Sequence, residues 1–234
     1  MRLKTLYSFF LLILSVMSMH AQEEVEIKNP VDSLYREDQF YINLSYNMMQ
    51  NKPDGFKQRG FISNFGFGFL RDFPLNKRRN IAIAPGVGYT FSYIKSNLMV
   101  LPKDYVGDSN FTIVDEKGFN KNFLTMHSLD VPIELRWRTS VPESHKFLRI
   151  YTGVKFSYIF ANNAKYKDSE MSYKVSDIPE INKFQYGIYV SAGYNTWNAY
   201  VYYGLNPLFK SVDLAQGTEV KLNALHLGLM FYIL

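Results

Sequence analysis

The chain has 234 residues, 47% of them apolar and 17% aromatic, with no cysteine and a formal charge of +5. The apolar content excludes a disordered chain, and the lack of cysteine excludes disulfides, thiol catalysis and Cys-ligated zinc. No basic run carries interleaved aromatics, so nucleic acid is not an expected partner, and Lys77-Arg78-Arg79 reads as a solvated turn.

Residues 1–21 have the pattern of a signal peptide. Arg2 and Lys4 precede an apolar run from Leu6 to Met17 that is too short to span a bilayer, and Ala21 precedes the expected cleavage point. Residues 22–38 are acidic, contain Pro30 and show no periodicity, which predicts a flexible periplasmic tail. From 39 to 234 apolar residues alternate with polar residues or glycine, and period two predicts strands.

Eight strands are expected, at about 39–49, 60–71, 80–94, 124–138, 146–160, 184–195, 199–205 and 220–234. The first places Phe40, Ile42, Leu44, Tyr46 and Met48 on one face. The third sets Ile81, Ile83, Val87, Tyr89, Phe91 and Tyr93 against Ala82, Ala84, Gly86, Gly88, Thr90 and Ser92. The connections alternate between short (72–79, 139–145, 195–198) and long (50–59, 95–123, 161–183, 206–219), as in outer-membrane barrels. A hairpin inserted from 95–123 would raise the count to ten.

A soluble barrel also alternates, but its apolar face points inward. Here the face opposite the aromatics holds Gly66, Gly68, Gly86, Gly88, Gly153, Gly187, Gly193 and Gly228. Glycine weakens a water-exposed strand to no advantage. In a narrow lumen it makes room for larger neighbours. The expected fold is therefore all-β, an eight-stranded antiparallel up-and-down transmembrane β-barrel over 39–234. Its inward charges, Asp130, Glu134, Arg136 and Arg138 on the fourth strand and Arg149 and Lys155 on the fifth, must pair within the lumen. A hairpin folded near Val141 to Glu143 brings Asp130 beside Lys155, and Glu134 beside Tyr151 or Arg149. Such a network plugs the lumen, with a ligand site or polar pathway as the alternative.

The ending Ala21-Gln22 of the leader, the Gly86-Val87-Gly88-Tyr89-Thr90-Phe91-Ser92-Tyr93 strand, the Leu129-Asp130-Val131-Pro132-Ile133-Glu134-Leu135-Arg136 strand and the Leu225-His226-Leu227-Gly228-Leu229 ending resemble outer-membrane β-barrel proteins of Bacteroidota. In layout the chain is similar to PorT-like barrels. That resemblance implies an interaction or assembly role in the outer membrane, within type IX secretion and gliding. Its expected partners are the lipid bilayer and proteins met through the long extracellular loops or the periplasmic side. A small porin or ligand-binding barrel is the alternative. His127, Ser128 and Asp130 are close in sequence, but parity turns His127 away from the other two, so no enzyme is expected and a rim hydrolase or acyltransferase is the less favoured alternative. No cofactor and no metal is expected either. Residues 111–114 and 171–175 are read as strand continuations beyond the membrane, serving as a rigid cap or as an edge for a partner strand.

Overall fold

The computed structural model describes residues 37–60, 64–102, 110–115, 118–139, 147–210, 212–214 and 217–233. The leader, most of the tail, Phe61, Tyr105, His145 and the turn at 140–146 lie outside the described residues.

Eight long strands run through the described chain. They are β1 (Gln39–Gln50), β2 (Asn64–Leu70), β3 (Ile81–Ser96), β4 (Lys121–Arg138), β5 (Leu148–Lys167), β6 (Phe184–Tyr194), β7 (Trp197–Gly204) and β8 (Asn223–Ile233). Each pairs antiparallel with its chain neighbours, and β8 pairs with β1 from Phe40 opposite Ile233 to Gln50 opposite Asn223. The sheet is thus closed, and every long strand has two partners, as backbone groups in hydrocarbon require. The hairpin within 95–123 does not join the barrel. Leu98–Val100 and Phe111–Ile113 pair with each other in a separate two-stranded sheet, so the count among the described residues is eight, not ten.

Apolar residues of the predicted outward face do point outward, with Val87, Leu129, Leu135, Ile150, Ile188 and Leu229 exposed. The opposite positions are buried, among them Asn43, Ser45, Asp130, Glu134 and Tyr151. A barrel apolar outside and polar inside is built for lipid. The tightest turn, between β6 and β7, is only Asn195 and Thr196 long, and Asn195 takes φ +55°. Asparagine tolerates this left-handed conformation better than most residues.

Three features differ from the expectation. First, β5 runs to Lys167 instead of ending near 160, and Ser172–Ser176 folds back on it above the barrel. Second, β5 carries a bulge: His127 faces Ala161 but Ser128 faces Ile159, leaving Phe160 as the extra residue. The bulge reverses the parity of the strand. Arg149, Tyr151, Ser157 and Ile159 are buried below it, and Asn162, Ala164 and Tyr166 above it. Third, the last residues assigned to the flexible tail belong to the barrel. Glu37 is buried and its N–H donates to Asp72 Oδ2 at 3.5 Å, while Asp38 Oδ1 accepts from the Asp72 N–H at 2.9 Å.

Candidate functional site

The lumen is filled at both ends by opposite means. At the end with the short turns, β4 brings three inward charges in alternate positions, Glu134, Arg136 and Arg138. All three are at most 1% exposed. Asp72, at the foot of β2, receives both arginines. Arg138 donates through Nη1 and Nη2 at 2.8 Å to each carboxylate oxygen, and Arg136 through Nη1 at 3.0 Å. Arg136 Nε donates to Glu134 Oε2 at 2.9 Å, and its Nη1 also reaches the Glu37 carbonyl at 3.1 Å. Glu134 Oε1 accepts from the hydroxyls of Tyr189 at 3.0 Å and Tyr232 at 2.8 Å. The Arg136 guanidinium also lies 5.0 Å from the Tyr151 ring centre. The carboxyl groups of Glu37, Asp72 and Glu134 and the guanidinium groups of Arg136, Arg138 and Arg149 are all buried at this mouth.

Electrostatics at this mouth differ between two carboxylates that lie outside the strands. Burial works against the Asp72 carboxylate, but the hydrogen bonds and charge of Arg138, with those of Arg136, more than offset it and hold its pKa below the usual aspartate value. Glu37 accepts fewer such bonds. Burial dominates there and raises its pKa above the usual glutamate value, against the pull of Arg138, Arg149 and Arg136.

Of the residues singled out from sequence, the structure brings Glu134 and Arg136 together, but places Arg149 apart. Strands β4 and β5 pair two positions further along than the expected register, with Asp130 opposite Ser157 and Glu134 opposite Gly153. Glu134 therefore meets Arg136 on its own strand and not Arg149. Arg149 lies 4.5 Å over the Phe147 ring, and among the described residues its Nε and Nη1 have no hydrogen-bond partner. Asp130 and Lys155 meet diagonally, Nζ to Oδ2 at 3.6 Å. Thr90 and Ser128 also donate to Asp130, at 2.5 and 3.0 Å.

Asp72 and Glu37 were missed from sequence, although a parity signal was present. Inward positions on β2 are even and on β1 odd, and continuing each series by one step past the strand reaches Asp72 and Glu37. The lumenal glycines admit the tyrosines. A Cβ on Gly88 would strike the Tyr41 hydroxyl, and one on Gly187 would come within 2.6 Å of the Tyr202 ring.

At the other end the plug is apolar. Inward-facing Met49, Ile94, Leu124, Met126, Ile159 and Ala164 pack against loop residues that fold over the mouth: Leu98, Val100, Phe111, Ile178, Ile181, Leu208, Phe209, Val212, Leu214, Val220 and Leu222. Phe111 and Phe209 meet edge to face at 5.2 Å. The space between the plugs includes cavities of about 60 and about 10 Å³. The larger, bordered by Asn47, Ser92, Lys155, Tyr202 and His226, has room for a few waters. His127 lies on the outer wall, its Nδ1 2.5 Å from the Tyr89 hydroxyl, facing away from Ser128 and Asp130. Among the described residues no group of three or more His, Asp or Glu side chains could hold a metal ion.

Two solved structures are similar in outline, both of Ail, the attachment invasion locus protein of Yersinia pestis. One is 14% identical with a TM-score of 0.38. The other, a complex with the heparin analogue sucrose octasulfate, is 13% identical with a TM-score of 0.36. Each match covers 86% of this chain and 100% of the other. No curated protein sequence matches. The family model described as outer membrane protein beta-barrel domain matches residues 20–210, and the chain, whose closed wall turns its apolar side outward, belongs to that family of the bacterial outer membrane.

Proposed function

We propose that this barrel is an interaction or assembly component of the cell envelope, PorT-like and linked to type IX secretion and gliding in Bacteroidota, exported by a cleaved signal peptide at 1–21. The observation that carries the reading is the double plug. A charged network closes one mouth and a loop core the other, leaving the long-loop face and the periplasmic turns as the surfaces available to proteins. The reading assigns no enzymatic step, and the orientation of His127, away from Ser128 and Asp130, supports that at the one cluster the sequence suggested. The sequence motifs named above support the PorT-like assignment. Deleting the chain from a gliding host and assaying export of type IX cargo and surface motility tests the assignment. Loss of both, restored by the intact gene, is expected, and unchanged export refutes it. Planar-bilayer recording tests the plug. Pure protein gives no stable open current, and large steady currents transfer the reading to a porin. A ligand-binding barrel is the second reading, favoured by the small cavity of mixed lining beside Lys155 and His226.

A further inference from the structure

Above the bilayer, β3, β4 and β5 continue as a sheet whose outward face carries a row of cations. Register fixes the row. Arg59 lies opposite Lys95, Lys95 opposite Phe123, Phe123 opposite Lys165, and Lys165 opposite Lys174. One step higher, Lys121 lies opposite Lys167. Directly opposed residues share a face, so Lys165/Lys174 and Lys121/Lys167 are two like-charge pairs in one patch, with Lys95 beside them. Such pairs destabilise a sheet unless an anion lies between them. Among the described residues none of Lys95, Lys121, Lys165, Lys167 and Lys174 forms an ion pair. Asp168, the nearest carboxylate along the chain, is engaged at the hairpin tip, accepting from the N–H groups of Glu170 and Met171 at 2.7 Å each.

The height of this row identifies what would supply the anion. On β4 the outward apolar band runs from Trp137 to His127, whose outward neighbours are Phe91 and Ala161. That stretch is a rise of about 25 Å for a tilted strand, the height of a barrel's lipid band. Phe123 and Lys121 stand about 10 and about 15 Å higher on the same strand. The headgroup layer is roughly 5–8 Å deep on each side of the hydrocarbon. Lysine side chains leaning back toward the band reach it, with the outward Tyr93, Thr125 and Asn163 between them and the lipid.

We propose that this row binds the phosphate groups of outer-leaflet lipid, anchoring one side of the barrel to a phosphorylated glycolipid. The test uses the full-length barrel in neutral detergent, titrated calorimetrically with bisphosphorylated lipid A and with its dephosphorylated form. The intact barrel binds the phosphorylated form at least tenfold more tightly, and the affinity falls as salt is raised. A variant with Lys95→Gln, Lys165→Gln and Lys174→Gln binds about 100-fold more weakly, from roughly a fivefold loss per lysine. The matching triple Lys→Arg variant keeps its binding. Heat-modifiable gel migration establishes that both variants are folded. Equal binding of the two lipids, or unchanged binding by the Gln variant, overturns the proposal. So does a soluble sulfated polysaccharide that binds the row more tightly than lipid A, which would place the ligand outside the membrane.

Discussion

Removing the Asp72 carboxylate tests whether the charged plug holds the barrel together. Asp72→Ala deletes three charge-assisted hydrogen bonds of 2.8, 2.8 and 3.0 Å and leaves Arg136 and Arg138 facing each other, both fully buried. Each such bond contributes about 1.5–3 kcal/mol, but the three share one acceptor and do not add. Removing one partner of a buried ion pair costs about 3–5 kcal/mol, and that is the loss expected here. The comparison is Glu219→Gln. Its pair with Lys221 is as short, 2.7 Å, but both side chains are largely exposed at 44% and 63%, so the loss should stay within about 1 kcal/mol. Urea unfolding in phosphatidylcholine vesicles, followed by tryptophan fluorescence, measures both. Trp137 and Trp197 lie on the lipid-facing wall and enter water on unfolding. A loss below about 1 kcal/mol for Asp72→Ala would mean that the arginines find other partners or water, and that the plug is not the dry network described.

Three further outcomes follow from the same geometry. A double-mutant cycle between Glu134→Ala and Arg136→Ala should show a coupling of about 1–3 kcal/mol, and the cycle between Glu134→Ala and Arg149→Ala a smaller one, since Glu134 bonds only the first arginine. Gly88→Ala should cost about 1–3 kcal/mol because its Cβ meets Tyr41, and Tyr41→Phe, which removes the struck hydroxyl, should recover part of the loss. Urea midpoints from pH 3 to pH 8 separate the two mouth carboxylates. Glu37, with its pKa raised, supports the fold fully below the ordinary value of 4.5 and loses that support as pH rises through its folded pKa. Glu37→Gln should thus raise the midpoint at pH 8 and leave it unchanged at pH 4. Asp72, with its pKa lowered, supports the fold above 3.8 and loses that support as pH falls through its folded pKa, so Asp72→Asn should be costly at pH 7 and less costly toward pH 3.

The strands and their faces were legible because period two is a local signal, and each apolar run declares its own outward side. The register between β4 and β5 was not legible. A slip of two positions keeps every charge in the lumen, so alternation cannot tell Asp130 opposite Lys155 from Asp130 opposite Ser157. That slip exchanged the partner of Glu134. The apolar plug was hidden for a different reason. Met49, Leu124 and Met126 face inward, where a membrane barrel is expected to be polar, so their alternation loses contrast with the outer face. The bulge at Phe160 left no mark in the composition, and the strand continues past it with the opposite parity. The plug also draws on segments near 100, 111, 180, 209 and 221, a proximity no sequence window contains.

The position of the charged plug also bears on how the barrel enters its membrane. Asp72, Arg136, Arg138 and Arg149 all lie at the end where β1 begins and β8 finishes, so they assemble on the side from which the chain is delivered. Only the loop-bearing end must traverse hydrocarbon, and the core it builds there is apolar. The lumenal guanidinium groups of Arg136, Arg138 and Arg149 are spared the crossing, which falls instead to the cations of the loop-bearing end, such as Arg59 and Lys165. The arrangement gives insertion a preferred direction: entering by the opposite end would drag the dense lumenal set of charges across the bilayer before any of their partners were in place.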